Sequence, residues 1–374
     1  MSLLFYLLVF LLVLIVSSTT NKLLPFLPMP LIQILLGIGI GLCLPNNQYH
    51  LDTELFLALV IGPLLFREAQ EADITSILKH WRIVLFLIFP VIFISALSMG
   101  GVAHVLWATL PLAACVAVGA ALGPTDLVAF ASLSQRFSFP KRVSNILKGE
   151  GLLNDASGLV AFRMALIAWT TGTFSLTQAG TSLAISIVGG FAVGFITALI
   201  NRFLHTFLLS VRATDIASEL LLELSLPLLT FFISEEIHVS GIIAVVVAGI
   251  LKASRFKKIN LLEAQVDTVT ETVWRTVTFM LNGSVFVILG MELEMIAEPI
   301  LKSAFYNKVL LLLSVFLLTF LLFAIRFVMI YGFYVFRIKR LQKSLHKYMK
   351  DMLLLTFSGV KGTVSIATIL LIPT

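Results

Sequence analysis

Long apolar runs recur from one end of this 374-residue sequence to the other, and they constrain its fold more than any other feature. Each run is about 20 residues long, the length of α-helix that crosses a bilayer core of about 30 Å. Hydrophobic residues make up 59% of the chain and charged residues only 12%. A membrane β-barrel would show alternating apolar and polar residues, and these runs do not alternate. The sequence therefore predicts an all-α polytopic membrane protein.

The positions of the runs predict about twelve transmembrane spans. Their approximate bounds are 2–17, 25–43, 53–69, 83–99, 107–133, 144–169, 179–203, 217–234, 240–251, 268–291, 305–336 and 351–373. Residues 2–16 have no basic segment before them and no small-residue cleavage site after them, so we interpret them as a span and not as a signal peptide. Cys43 and Cys115 lie in apolar stretches and are interpreted as packing residues. The sequence has no metal, haem or nucleotide motif, so no cofactor is predicted.

Basic residues divide the loops into two alternating sets. The loops after odd-numbered spans hold nearly all of the Lys and Arg residues outside the spans, from Lys22 to the run 337-RIKRLQKSLHK-347. The other set holds only Lys302 and Lys308. Cytoplasmic loops carry the excess of positive charge, so this pattern places the first set in the cytoplasm and the N-terminus outside, in a multi-pass protein of the cell membrane. The net charge of +6 is then a topology signal, and nucleic acid is not a predicted partner.

Few ionisable residues fall at membrane depth, where each costs at least about 2.5 kcal/mol on insertion scales. Two of them, Glu150 and Asp155, lie in the segment 149-GEGLLNDASG-158. On a helix, Glu150 and Asn154 share a face, and Asp155 is turned about 100° from Asn154. For Glu150, as for Arg326 and Arg275 in later spans, we favour a purely structural reading, in which paired charges fix helix packing.

Asp126 calls for a different reading, because no cation lies near it in the sequence. Asp126 and Asp155 are two carboxylates in polar segments that glycines interrupt. A cation and a proton would compete for such carboxylates. The run of Asp126 is interrupted by Gly123 and Pro124, and the last span is interrupted at Gly359 and Gly362, on either side of Lys361. Broken helices at membrane depth are tolerated where they are buried in protein or line a cavity. The alternative reading is that these glycines only permit close helix packing.

Segment order suggests how these two breaks are related. Paired interruptions at matching places in two halves are typical of transporters built from inverted repeats. We therefore predict one transporter domain, 1–374, with a first repeat at 1–170, a linker helix at 171–210 and a second repeat at 211–374. In this arrangement the two interrupted spans, five and twelve, occupy corresponding places in the two repeats.

At these residues the chain resembles the monovalent cation:proton antiporters, in their sodium/proton exchanger branch, of bacterial type with an Asn-Asp motif. The family's Thr-Asp pair is matched by Thr125-Asp126, and its Gly-Glu-Ser-Leu-x-Asn-Asp motif by 149-GEGLLNDASG-158. Its Phe-x-x-x-Gly-x-x-Phe-x-Leu-x-Gly signature is matched by 279-FMLNGSVFVILGMEL-293, and its Gly-Val-Arg-Gly-Ala-Val-Ser segment by 359-GVKGTVSIA-367. Arg326 falls where the family carries a span arginine. The motifs occur in the family's order over most of the chain.

The resemblance implies a role for each matching residue. Asp155 would bind Na+ and the proton alternately, and Asp126 with Thr125 would shape the crossing helices and contribute to the site. Asn154 stands where the electrogenic branch has a second aspartate, which implies electroneutral exchange. Glu150 and Arg326 would form a structural ion pair. Lys361 would compensate the partial charges at the second helix break, and Glu68 would attract cations at the cytoplasmic mouth. The resemblance also implies a homodimer in the lipid bilayer.

The sequence departs from the family's pattern at four places. Leu127 replaces a proline, Gly151 replaces a serine that can help to ligate the ion, and Lys361 replaces an arginine, which keeps the charge but loses the planar guanidinium. The chain also stops at 371-LIPT-374, at the end of the twelfth predicted span, whereas the family's pattern has a thirteenth span that would complete the second repeat.

The predicted function is secondary transport, in which Na+ (or Li+ or K+) is exchanged for H+ by alternating access. One alternative is a passive cation channel, although the sequence has no evident selectivity filter. Another is an inactive or shortened antiporter homologue with a regulatory role. An intramembrane enzyme using His104, Ser98 or Asp126 is not predicted, because no Ser-His or His-x-x-Glu-His spacing occurs.

Overall fold

The computed structural model describes residues 3–43, 53–125, 130, 138–172, 176–211, 215–253, 261–302, 308–341 and 348–359. These residues form helices and connecting turns, and none of them lies in a β-strand. The helices are α1 (Leu3–Leu23), α2 (Met29–Cys43), α3 (Thr53–Phe56, Leu57–Ile61 and Gly62–Glu71 in succession), α4 (Ile74–Leu78), α5 (Trp81–Leu106), α6 (Leu112–Ala121), α7 (Lys141–Thr171), α8 (Leu176–Ser210), α9 (Ile216–Glu236), α10 (Gly241–Ala253), α11 (Leu261–Lys302), α12 (Lys308–Leu341) and α13 (Met349–Phe357).

The length and composition of these helices agree with a multi-pass membrane protein. Among the described residues, six helical stretches are long and apolar enough to cross a bilayer; they lie in α5, α7, α8, α9, α11 and α12. Shorter apolar stretches lie in α1, α2, α6 and α10. Every predicted span overlaps a helix of the structure, so the all-α class is confirmed, whereas the number of crossings stays a prediction. Large apolar side chains such as Phe203, Phe316 and Phe320 point away from the rest of the chain, as expected where lipid is the solvent.

Two apolar cores meet along α7. Phe66, Leu226 and Trp274 belong to one core, which joins α3, α9, α10 and α11, and Leu152 of α7 packs into it. The other core joins α5, α12 and α13. Ile146 of α7 packs into this second core. The polar residues of 149-GEGLLNDASG-158 therefore lie on the helix that both cores share.

Small residues let several helices approach backbone to backbone. A Cβ atom on Gly290 of α11 would collide with the carbonyl oxygen of Ile34 in α2, and one on Gly37 would collide with that of Val287. Gly194 of α8 lies just as close to Ala244 of α10. Membrane helices commonly pack in this way, because lipid provides no hydrophobic force to bring them together.

Two of the helices contain a π-helical segment, Leu57–Ile61 in α3 and Leu87–Val91 in α5. The segment of α5 includes Pro90, which has no N–H and so leaves the carbonyl of Phe86 without its usual α-helical donor. A π-turn accommodates such an interruption without ending the helix. α5 therefore continues to Leu106 past its proline.

The short helix α4 was not predicted. It begins after Asp73, whose carboxylate accepts a hydrogen bond from the backbone N–H of Ser76 at 3.1 Å, as an N-cap does. Hydrogen bonds from the hydroxyls of Ser76 and Thr75 stabilise the charged form further, and together they lower the pKa of Asp73 from 3.8 to about 2. The two cysteines differ: Cys115 is buried in α6, as predicted for a packing residue, whereas Cys43 is exposed at the end of α2.

Candidate functional site

The candidate site lies where α6 ends. The predicted fifth span continues to residue 133, but the last residue of α6 is Ala121, and residues 122–125 are not helical. We call residues 122–125 the first break. Its Gly123 donates a backbone hydrogen bond to Ala120 at 3.1 Å. Pro124 packs directly on Gly158 of α7, where a Cβ atom would collide with the proline ring.

Side chains of α7 form hydrogen bonds with the first break. The Nδ2 of Asn154 donates to the carbonyl oxygen of Thr125 at 2.9 Å and to its Oγ1 at 2.6 Å. The Thr125 hydroxyl in turn donates to Oε1 of Glu150 at 3.2 Å. All three residues are buried. Asn154 and Glu150 reach the same threonine because they are four residues apart on one helix face.

Glu150 also forms an ion pair with Arg326 of α12. The guanidinium donates from Nη1 to Oε1 at 2.6 Å and from Nη2 to Oε2 at 2.7 Å, which is the bidentate arrangement. The exposed fractions of the two side chains are 1% for Glu150 and 3% for Arg326. Each charge is therefore compensated inside the protein.

Arg326 connects this pair to the place where α13 ends. Its Nε donates to the carbonyl oxygen of Leu355 at 3.0 Å, in the last turn of α13. After Phe357 the chain leaves the helix at Ser358 and Gly359, which we call the second break. Gly359 packs against the guanidinium of Arg326, and a Cβ atom there would lie 2.7 Å from Nε. A positive charge at a helix C-terminus is stabilising, because the last carbonyl groups carry partial negative charge.

One buried chain of contacts thus joins the two breaks. It runs from Thr125 through Glu150 and Arg326 to Leu355. Gly123 and Gly359 are also closely packed, so the alternative that these glycines permit close helix packing holds for both of them. The helices nevertheless end where the sequence predicted an interruption.

Asn154 has one polar atom that no described residue binds. Its Oδ1 is fully buried and accepts no hydrogen bond from any described residue. A buried carbonyl-type oxygen without a donor is unfavourable, and it is also the kind of atom that coordinates monovalent cations in proteins. It lies on the residue next to Asp155, in the same turn of α7.

The predicted site residues stand as follows. Thr125, Asn154, Glu150 and Arg326 come together. Asp155 belongs to α7, but its side chain lies outside the described part of the chain, as do Asp126 and Lys361 altogether. Glu68 is half-buried in α3.

Arg275 fits its predicted role only in part. It pairs at 3.4 Å with Glu271 one turn earlier on its own helix α11, and both side chains are mostly exposed. The expected pairing of this charge is therefore confirmed, but it lies within one helix and so does not fix how helices pack. The spacing of four residues favours this kind of pair.

A second polar cluster was missed. Glu223 of α9 accepts hydrogen bonds at Oε1 from Gln70 at 3.1 Å and from the indole of Trp274 at 3.2 Å. Its Oε2 lies 3.8 Å from the ammonium of Lys252, which donates to Asn201 at 3.0 Å. The cluster ties α3, α8, α9, α10 and α11 together. No local pattern could reveal it, because each partner comes from a different helix.

Comparison with known proteins adds a family. The family model described as "Sodium/hydrogen exchanger, transmembrane" matches residues 7–374. The chain is 33% identical over 359 residues to the sodium, potassium, lithium and rubidium/H(+) antiporter of Bacillus pumilus, covering 96% of this chain and 54% of that protein. It is 34% identical over 369 residues to the antiporter of the same name from Bacillus subtilis, covering 98% and 55%. The chain thus spans about half the length of the curated relatives it matches.

A solved structure shares the fold. The sodium proton antiporter MjNhaP1 from Methanocaldococcus jannaschii superimposes with a TM-score of 0.69 over 99% of this chain and 86% of its own. The sequence identity is 18%.

Proposed function

This chain belongs to the sodium/hydrogen exchanger family, and from that premise we propose that it exchanges Na+ (or Li+ or K+) for H+ across the cell membrane. The membership agrees with the resemblance identified from the motifs. The two relatives from Bacillus are named for antiport of sodium, potassium, lithium and rubidium, which favours a site that accepts several monovalent cations.

The observation that carries the proposal is the buried network between the two breaks. It holds the first break against α7 at the level of Asn154 and Asp155, and its two formal charges cancel. With Glu150 and Arg326 neutralising each other, Asp155 and Asp126 are the carboxylates whose charge a transported ion would balance.

The chemistry is competition for one carboxylate. A carboxyl group in a low-dielectric site has a raised affinity for protons, because burial disfavours its charged form. A monovalent cation stabilises the same charged form, so Asp155 would hold a proton or a cation, but not both. Asp126, Thr125 and the free oxygen of Asn154 would complete the coordination of the cation, and Asn154 in place of a second carboxylate supports one-for-one, electroneutral exchange.

The network also supports alternating access. The network joins one half to the other through Glu150 and Arg326, so it would stay together as one body while the remaining helices of both halves rock around it. We assign the halves to residues 1–170 and 211–374, with 171–210 as linker, and the N-terminus to the outside. Lys361 would compensate the helix ends at the second break, Glu68 would attract cations at the cytoplasmic mouth, and the protein would act as a homodimer.

The test is exchange by purified protein in proteoliposomes containing a pH-sensitive dye. Addition of Na+, Li+, K+ or Rb+ is expected to drive a pH change, and Asp155→Asn is expected to abolish it while the protein still folds. Asp215→Asn is the matched control, since Asp215 caps α9 outside the site and asparagine caps equally well. Exchange that persists in Asp155→Asn would refute the assignment.

A further inference from the structure

Three residues of α7 that lie within three positions of Asp155 in the sequence make contacts with other parts of the fold. Asn154 binds Thr125, Gly158 packs against Pro124, and Ser157 reaches in another direction, to α5. Ser157 is 4% exposed, and its Oγ donates a hydrogen bond to the carbonyl oxygen of Ile88 at 2.9 Å. The same oxygen lies 2.8 Å from the carbonyl oxygen of Asn154, so its single hydrogen is shared between an acceptor on α5 and one on its own helix.

The acceptor on α5 is unusual because Ile88 belongs to the π-helical segment Leu87–Val91. In an uninterrupted α-helix, the N–H of Ile92 would donate to the carbonyl of Ile88. Here the N–H of Ile92 donates to Phe89 instead. The Ile88 carbonyl is thus not bound by the N–H of Ile92, and it accepts a hydrogen bond from Ser157 of α7. A buried carbonyl group needs such a partner.

Directly after this segment, α5 touches the first break. A Cβ atom on Gly123 would lie 3.1 Å from the side chain of Ile92, so α5 as well as α7 limits the position of the break. The hydrogen bond of Ser157 therefore joins α7 to the part of α5 that also contacts the first break. It lies two residues after Asp155, so any rotation or sliding of α7 that lengthens this hydrogen bond also displaces Asp155.

From these contacts we propose that Ser157 is a positioning residue for the ion-binding carboxylate. Its hydrogen bond to the π-helical segment sets the rotation and height of α7, and so the place of Asp155 relative to Thr125. This inference rests on the proposed function, since it concerns how well the same site holds its cation.

Ser234 provides the matched control. It is a fully buried serine whose hydroxyl donates at 2.7 Å to Thr230, one turn earlier in its own helix α9. Its replacement by alanine removes a hydroxyl of equal burial without releasing a contact between two helices.

The experiment measures the Na+ dependence of exchange in Ser157→Ala, Ser157→Thr and Ser234→Ala. Loss of the hydrogen bond in Ser157→Ala is expected to raise the apparent KM for Na+ by about three- to tenfold, with the maximal rate within about twofold of wild type. Ser157→Thr keeps the hydroxyl and is expected to restore a KM near that of wild type. Ser234→Ala is expected to leave KM unchanged. A purely structural role would lower the amount of folded protein and leave KM unchanged.

A second readout separates failure of this inference from failure of the proposed function. Na+ raises the melting temperature of a protein that binds it, whether or not transport occurs. The Na+ concentration that gives half of this rise is expected to increase in Ser157→Ala by the same factor as KM. If the wild type exchanges Na+ but Ser157→Ala has the same KM and the same half-saturating Na+ concentration as the wild type, the role of Ser157 is overturned and the proposed function is not. If Ser157→Ala does not fold, Ser157→Cys replaces it, because the thiol is similar in size to the hydroxyl but is a weaker hydrogen-bond donor. A wild-type Na+ dependence of exchange in Ser157→Cys would equally overturn the inference.

Discussion

Removal of one member of the Glu150–Arg326 pair is expected to destabilise the protein strongly. Both side chains are almost completely buried and bound through two hydrogen bonds of 2.6 and 2.7 Å. A buried charge that loses its partner costs about 3–5 kcal/mol, so Glu150→Gln should lower the free energy of unfolding by that amount. Arg326→Met should cost about 1–3 kcal/mol more, because the carbonyl of Leu355 then loses its donor as well.

The double variant Glu150→Gln/Arg326→Met distinguishes pairing from packing. No unpaired charge remains in it, so its cost is expected to fall below the sum of the two single costs by about 3 kcal/mol, the upper end for residues in contact. The assay is reversible unfolding in mixed micelles with increasing SDS, followed by tryptophan fluorescence. Trp274, which is fully buried, is a suitable reporter.

Arg163→Met is the control for this measurement. Arg163 pairs with Glu235 across two helices at 3.7 Å, with half-exposed side chains, and such pairs contribute about 0–1 kcal/mol. Strictly additive costs for Glu150→Gln and Arg326→Met would contradict the reasoning, as would a cost of Glu150→Gln no larger than that of Arg163→Met.

Three further predictions concern other parts of the fold. Gly158→Ala should force Pro124 away from α7, with a cost of about 1–3 kcal/mol for overpacking and slower exchange in proteoliposomes. Gly180→Ala is the control, because the added methyl group there meets no described residue within 4 Å and should cost nothing. Equal effects of the two variants would contradict the close contact. Glu223→Gln should remove the negative charge that faces the ammonium of Lys252 and lower the free energy of unfolding by about 1–3 kcal/mol in the same SDS assay. A neutral result would show that this charge adds no stability. The lowered pKa of Asp73 means that its cap contributes stability above the unfolded pKa of 3.8, and that this contribution is lost as the pH falls towards about 2. Hydrogen exchange of the amides in α4 should therefore be faster in Asp73→Ala than in wild type at neutral pH, with the difference vanishing in acid; a difference that persists there would exclude the carboxylate as its cause.

The sequence was sufficient to predict the long apolar helices and the place of the first break, but not the short helix α4. Apolar runs determine membrane helices because each helix satisfies its own backbone hydrogen bonds, so the signal is local. Gly123-Pro124 indicated the first break because these residues interrupt the apolar run locally, at the position where the helix ends. The place of Glu150 beside Asn154 followed from helical periodicity, and the family followed from motifs in a fixed order.

The contacts between distant residues were not predictable in this way. Ser157 and Ile88 are 69 residues apart, and the hydrogen bond between them depends on a π-turn that no apolar pattern indicates. Glu223 and Gln70 are 153 residues apart. Such contacts depend on which helices become neighbours and on how each is rotated. The pairing of Glu150 with Arg326 was predictable because an isolated charge in a membrane requires a partner and the family suggested which one.

Coupled exchange at Asp155 is the central claim, and Na+ accumulation tests it most directly. Vesicles containing the protein are loaded with an acidic buffer and placed in a more alkaline medium with radioactive Na+, and a permeant anion keeps the membrane potential near zero. Exchange predicts that Na+ accumulates inside above its external concentration in wild type and in Asp215→Asn, and that Asp155→Asn accumulates none. Na+ that only equilibrates in the wild type, as through a channel, or that still accumulates in Asp155→Asn, would contradict the account.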